Sequence, residues 1–136
     1  MLADRAVIDP GNPPRVLVAE DEPGLRAFMA RSLQVAGYEV SDVEDGQRAL
    51  ESLRADRFDL LVTDIVMPVM DGITLALIAS SEWPDLRILM VTGYPAERQR
   101  ALNLDVLIHG VIAKPFTLQE LRQSVRTALE TRAPGR

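Results

Sequence analysis

The chain has 136 residues and a mass of 15.0 kDa, enough for one domain with a full core. Lys and Arg number 15 against 20 Asp and Glu, a net charge of −5, which argues against a general nucleic-acid binder because such a protein needs a basic stripe. Cysteine is absent, which excludes disulfides and thiol chemistry and suits the cytoplasm, and no apolar run approaches the roughly 18 residues of a membrane span.

Residues 1–14 end in Asp9-Pro10-Gly11-Asn12-Pro13-Pro14 and predict a flexible lead-in, since proline fixes φ and removes donors. Asp4 and Arg5 interrupt the start, so no signal-peptide core is expected. Residues 131–136, with Ala133-Pro134-Gly135-Arg136, read as a frayed tail. The expected domain is residues 15–130.

Within it two patterns alternate. Arg15-Val16-Leu17-Val18-Ala19 is a continuous apolar run, as a strand buried on both faces requires. Leu25, Phe28, Met29 and Leu33 recur at helical spacing, and Gly37 closes that helix. Tyr38 to Val43 is a second strand, and Asp45 caps a helix carrying Ala49, Leu50 and Leu53. Leu60-Leu61-Val62-Thr63 is a third strand ending at Asp64, followed by a helix marked by Ile73, Leu77 and Ile78 and closed by Trp83 before Pro84. Arg87 to Val91 is a fourth strand ending at Thr92, with a weakly apolar helix from Ala96 to Leu102 behind it. Gly110 to Ala113 is a fifth strand ending at Lys114. Thr117-Leu118-Gln119-Glu120 is a capping box ahead of the stripe Leu118, Leu121, Val125 and Leu129. Strict alternation of five strands and five helices predicts an α/β fold, a parallel sheet with helices on both faces.

In such sheets ligands bind beyond the C-terminal strand ends, so those residues are read for chemistry. They are Glu20 and Asp21, Asp64, Thr92 and Lys114. Three acids on one edge repel one another unless a cation sits among them, and hard oxygen ligands suit Mg²⁺. A carboxylate can be a nucleophile, an ammonium can neutralise a transferring group, and a hydroxyl can donate to its oxygens. The pattern predicts a metal-assisted phosphoryl acceptor. Taken singly, each acid also reads as a helix cap or a solvated loop residue. Lys114 stands apart, being the only lysine among fourteen arginines. It is the joint placement at four of five strand ends that carries the functional reading.

Two other phosphate chemistries fail on named residues. A dinucleotide or P-loop fold needs glycines after the first strand, and here Ala19-Glu20-Asp21-Glu22-Pro23 follows. A haloacid-dehalogenase-type phosphatase needs a second acid two residues after its aspartate, and Asp64 is followed by Ile65 and Val66.

Val18-Ala19-Glu20-Asp21-Glu22, Thr63-Asp64-Ile65-Val66-Met67-Pro68, Met70-Asp71-Gly72, Val91-Thr92-Gly93-Tyr94 and Ala113-Lys114-Pro115-Phe116 together resemble the receiver domain of two-component response regulators, the CheY-like family. The resemblance covers roughly residues 15 to 130. It implies a flavodoxin-like doubly wound (βα)5 sheet of strand order 2-1-3-4-5. It implies Asp64 as phosphoacceptor and Mg²⁺ held by Asp21, Asp64 and the backbone carbonyl of Val66, with Glu20 assisting. Thr92 corresponds to the switch hydroxyl and Lys114 to the lysine that pairs with the phosphoryl group. Pro115 resembles the family's cis proline, and Met67-Pro68 with Asp71-Gly72 the loop shaping the site floor.

The pattern departs from the family at Val111, where the family usually carries a rotating Tyr or Phe. Tyr94 reads as an exposed loop residue, with gating of the site as the alternative. Val66 and Tyr94, two residues after Asp64 and Thr92, are poor water-orienting groups, an expectation of slow self-dephosphorylation. His109, the only histidine, reads as a solvated loop residue.

The expected function is a stand-alone receiver taking phosphate from a histidine kinase or phosphotransfer protein. It is a phosphoacceptor rather than an enzyme in its own right. It signals by protein contact through the fourth helix, fifth strand and fifth helix, about Ala96 to Leu129. No direct nucleic-acid or membrane partner is expected, and no output domain is expected after residue 130. The wording around Asp64 and Thr92 also resembles CpdR-type single-domain regulators, which control regulated proteolysis in alphaproteobacteria. Two alternatives stay open: a phosphorylation-independent interaction module, and the receiver portion of a hybrid kinase acting as a phosphate relay.

Overall fold

Side chains along a strand point alternately to opposite faces, and in this sheet helices cover both. The computed structural model describes residues 9–131. The elements are β1 (Arg15–Ala19), α1 (Pro23–Val35), β2 (Glu39–Val43), α2 (Gly46–Ala55), β3 (Leu60–Asp64), α3 (Gly72–Glu82), β4 (Arg87–Thr92), α4 (Pro95–Leu102), β5 (Gly110–Ala113) and α5 (Leu118–Glu130). All neighbouring strands pair in parallel, in the order β2-β1-β3-β4-β5. This is the expected doubly wound α/β arrangement. The chain runs from β1 to β2 on one side and returns to β3 on the other, so β1 and β3 part at a crevice at their C-terminal ends.

Alternation splits the core in two. Leu17, Ala19, Leu61, Ile88 and Met90 pack with Leu50 and Leu53 of α2 and Leu75, Ala76 and Ala79 of α3. Val16, Val18, Leu60, Val62, Leu89 and Val91 pack with Met29 and Leu33 of α1 and Leu121, Val125 and Ala128 of α5. Each fully buried aliphatic side chain contributes about 1.5–3 kcal/mol. The central strand β3 is buried at every position, whereas β2 is an edge strand and largely exposed. It starts at Glu39, one residue later than expected, and Tyr38 is buried just before it.

Helix ends follow the signals in the sequence. Asp45 Oδ1 accepts from the Arg48 N–H at 2.8 Å. Gly37 takes a φ of 108°, the left-handed conformation that ends α1. Thr117 and Glu120 form the reciprocal box at the head of α5. Trp83 is the C-cap of α3 and packs on the core. The apolar face of α3 differs from expectation. Leu77 is 47% exposed, and the buried stripe is Leu75, Ala76 and Ala79. In this nearly all-apolar helix the small alanines seat against the sheet.

The proline-rich lead-in is described from residue 9, where the Gly11 N–H donates to Asp9 Oδ1 at 2.9 Å and the Asn12 N–H to the Asp9 carbonyl at 3.0 Å. Residues 1–8 and 132–136, including the expected tail, lie outside the described residues. Among the described residues no helix is long and apolar enough to cross a membrane.

Candidate functional site

The parallel register carries the reactive residues to one edge. Asp64 ends β3 opposite Val91, and Thr92 follows Val91 at the end of β4. Thr92 in turn pairs with Ala113, so Lys114 emerges just beyond β5, and its N–H donates to the Thr92 carbonyl at 2.7 Å. The Lys114–Pro115 bond is cis. Glu20 and Asp21 leave β1 beside β3, with the Glu20 N–H bonded to the Val43 carbonyl at 3.1 Å.

The side chains meet. Lys114 Nζ donates to Asp64 Oδ2 at 2.9 Å and lies 3.3 Å from Glu20 Oε1. Asp64 Oδ1 accepts from the Ile65 N–H at 2.8 Å. Asp64, Glu20 and Thr92 are buried, and Asp21 is exposed. Carboxylate oxygens of Glu20, Asp21 and Asp64 lie within 4.8 Å of one another.

Burial raises the Glu20 pKa to about 7, and the Asp64 charge adds to that rise. The Glu22 N–H, bonded to Glu20 Oε2 at 3.0 Å, and the Lys114 charge oppose it. Burial works against the Lys114 ammonium. The hydrogen bond to Asp64 and the charges of Asp64 and Glu20 outweigh it together, so its pKa stands above the ordinary value.

Glu20 Oε1 is buried and has no hydrogen bond. That oxygen, held by the Lys114 ion pair at 3.3 Å rather than by a hydrogen bond and facing two further acids, keeps acceptor capacity for a hard divalent cation, and on this observation the donor set suits Mg²⁺.

The floor is set by close backbone approach. Gly72 donates its N–H to the Ile65 carbonyl at 2.7 Å, and a Cβ there would run into the Asp64 carbonyl oxygen and sit 3.0 Å from Ile65 Cα. Asp71 caps α3 through its bond from the Thr74 N–H at 2.8 Å, and the buried Met67 packs below. Above Asp64 lies an open cavity of about 440 Å³, lined by Val66, Gly93, Tyr94, Glu97, Lys114 and Pro115. Val66 and Tyr94 are 56% and 70% exposed, so both rim the cavity from outside. Tyr94 is thus an exposed residue that also borders the site.

Three residues of this edge escape sequence reading. Arg26 donates to the Glu20 carbonyl at 2.9 Å and pairs with Asp42 at 3.2 Å, bracing the end of β1. Asp71, read only as part of the floor loop, is a helix cap. Glu97 is nearly buried and accepts from the Gly93 N–H at 2.9 Å. The signal available for Glu97 was its place in the first turn of a helix whose N-cap residue offers no side-chain acceptor.

His109 corrects the expectation of a solvated loop residue. It is half-buried, its Nδ1 accepts from the Ile88 N–H at 3.0 Å, and its own N–H donates to the Ile88 carbonyl at 2.7 Å. Burial lowers its pKa, and the Arg87 charge adds to the effect. Val111, at the position of the family aromatic, is half-buried against the core.

Comparison with known proteins gives concordant results. The family described as response regulator receiver domain matches residues 16–126. The response regulator receiver protein CpdR of Brucella abortus is 42% identical over 118 residues, which is 85% of this chain and 96% of that protein. Response regulators named MprA also match, and the chain spans about half their length. Among solved structures, the response regulator TrrA of Thermotoga maritima in complex with Mg²⁺ and BeF superposes with a TM-score of 0.77 at 30% identity, covering 85% of this chain and 98% of that one. The chemotaxis response regulator CheY4 of Vibrio cholerae gives 0.79 at 29% identity, covering 86% and 99%.

Proposed function

The chain belongs to the response regulator receiver domain family, the signal-accepting unit of two-component phosphorelays, and on that premise we propose that Asp64 is its phosphoacceptor. One observation carries the reading: a buried carboxylate at a central strand end, ion-paired to the only lysine and facing two further acids.

The donor is a phosphohistidine of a histidine kinase or phosphotransfer protein. An Asp64 carboxylate oxygen attacks phosphorus, a P–O bond forms and the P–N bond breaks. The electron pair stays on the imidazole, which leaves neutral after taking a proton. Lys114 offers its ammonium to the nonbridging oxygens as it releases Asp64, and the Thr92 hydroxyl donates to another. Asp21 and Asp64, the Val66 carbonyl and Glu20 would hold Mg²⁺, which supplies positive charge to the phosphoryl oxygens and offsets the crowding of acids. Among the similar solved structures, TrrA is described in complex with Mg²⁺ and BeF, which supports this reading. Val66 and Tyr94 rim the approach to Asp64 without orienting water, so the acyl phosphate is long-lived.

The unit is residues 15–130, working in the cytoplasm as a phosphoacceptor whose own residues promote transfer and hydrolysis. Its target contacts α4, β5 and α5, where Leu102 and, after α4, Val106 are exposed. The likeness to CpdR over nearly that protein's whole length supports the same kind of single-domain regulator.

The test is incubation with acetyl phosphate and Mg²⁺ followed by intact mass. One phosphoryl adduct is expected, absent in Asp64→Ala. An adduct that survives the substitution overturns the assignment.

A further inference from the structure

The cavity over Asp64 is lined by one carboxylate, Glu97, that the phosphoryl chemistry does not use. Glu97 is 9% exposed, and its Oε1 accepts the Gly93 N–H at 2.9 Å. Among the described residues it forms no ion pair. Gly93 directly follows Thr92 and is held between two site residues. A Cβ there would lie 3.7 Å from Glu97 Oε1 and 3.9 Å from Lys114 Cδ. Asp64, Gly93, Glu97 and Lys114 therefore share one open space.

A backbone N–H has one proton to give. A phosphoryl group brings about −1.5 to −2 charges and three strong acceptor oxygens. Placed on Asp64, it enters the cavity that Gly93 and Glu97 line. The Glu97 carboxylate is then a like-charged neighbour and a rival for the same donor. Gly93, with no side chain, leaves that donor open to whichever acceptor wins.

Resting on Asp64 as phosphoacceptor, we infer that Glu97 is an internal competitor of the phosphoryl group for the Gly93 N–H, and that phosphorylation displaces it together with the first turn of α4. The position of Glu97 gives the displacement its reach. Tyr94, the N-cap of α4, makes no side-chain cap bond, so the Glu97 contact is what ties this first turn to the end of β4. Its loss frees the helix at the face proposed for target contact. The route needs no aromatic at position 111.

The experiment follows backbone amides of the ¹⁵N-labelled full chain on addition of beryllofluoride with Mg²⁺, alongside intact mass after acetyl phosphate. In wild type the Gly93 amide and the amides of Ala96, Glu97 and Arg98 shift together. In Glu97→Ala the Gly93 amide starts displaced, the shift across α4 falls to less than half, and beryllofluoride binds about fivefold tighter, the factor of one ordinary hydrogen bond. Glu97→Gln keeps the acceptor and removes the charge, and its affinity falls between the two. Absence of both adduct and shift in wild type refutes the Asp64 assignment, and the competitor falls with it. With the adduct present, unchanged affinity and unchanged α4 shifts in both variants overturn the competitor alone.

Discussion

Helices α4 and α5 begin with the same device put to different use. Each has a glutamate at the third helical position, Glu97 in one and Glu120 in the other. Glu120 reaches back to its own N-cap, accepting the Thr117 N–H at 2.8 Å, while the Thr117 hydroxyl oxygen accepts the Glu120 N–H at 3.1 Å. That cap is complete within the helix. Glu97 reaches one residue further, to Gly93, because Tyr94 offers nothing in return. Its cap is borrowed from the site.

Anchoring differs in the same sense. Helix α5 buries Leu121, Val125 and Ala128, and Arg122 donates twice to the Ser32 carbonyl, at 3.1 and 2.8 Å. Helix α4 buries only Glu97 and Ala101, and Arg100 adds an exposed pair with Asp71 at 3.7 Å. Exposed pairs of that kind contribute at most about 1 kcal/mol. Of the two helices that pack beside β5, one is fixed by packing and the other by a contact the site can contest.

The largest effect is expected where the fixed part is tightest. Gly72→Ala forces a Cβ against the Asp64 backbone, and urea unfolding should show a loss of about 3 kcal/mol. A loss under about 0.5 kcal/mol would mean the floor yields as readily as α4 does.

A smaller contrast separates the two caps directly. Thr117→Ala removes a cap bond and should cost about 1 kcal/mol. Tyr94→Ala removes none and should stay within about 0.5 kcal/mol. Equal losses in the two variants would erase the distinction between a self-contained and a borrowed cap.

The smallest effect lies in the β4–β5 pairing beside α4. The folded-state pKa of His109 lies below its ordinary 6.5, so the unfolded chain takes up the proton first as pH falls. Stability from this group is present above about pH 6.5 and declines as pH falls through the lower folded value. Glu20 runs the other way. Its folded value of about 7 exceeds 4.5, so its contribution is present at low pH and fades as pH rises through 7. Glu20 is common to wild type and His109→Ala, so the difference between their pH profiles isolates the histidine. Parallel profiles below pH 6.5 would return His109 to the solvent.

Much of this architecture was legible because strand ends are local signals. Asp64 and Lys114 each follow a short apolar run, and a parallel sheet carries both to one edge; the strand order that sets β3 and β5 on either side of β4 came from the family resemblance. The caps at Asp45 and Thr117 were readable for the same reason, their partners being three residues away. What escaped depends on contacts distant in sequence or on fine helix geometry. His109 reads as solvated until Ile88, 21 residues away, is laid beside it. Leu77 reads as core because α3 is apolar on nearly every side, and only close packing selects the alanine stripe. Glu97 drew no reading from the sequence, because its role depends on the Gly93 turn that brings the cavity to it.

The pairing of Lys114 with Asp64 and Glu20 has a consequence for labelling chemistry. It is the only ε-amine in the chain, so amine acylation, apart from the α-amino group, reports on the reactive centre itself. Its raised pKa keeps the free amine scarce and the reaction slow. Once acylated, the nitrogen loses the charge with which it neutralises its partners, and two buried carboxylates are left facing each other. A single modification of this residue would silence the site without touching the acids that define it.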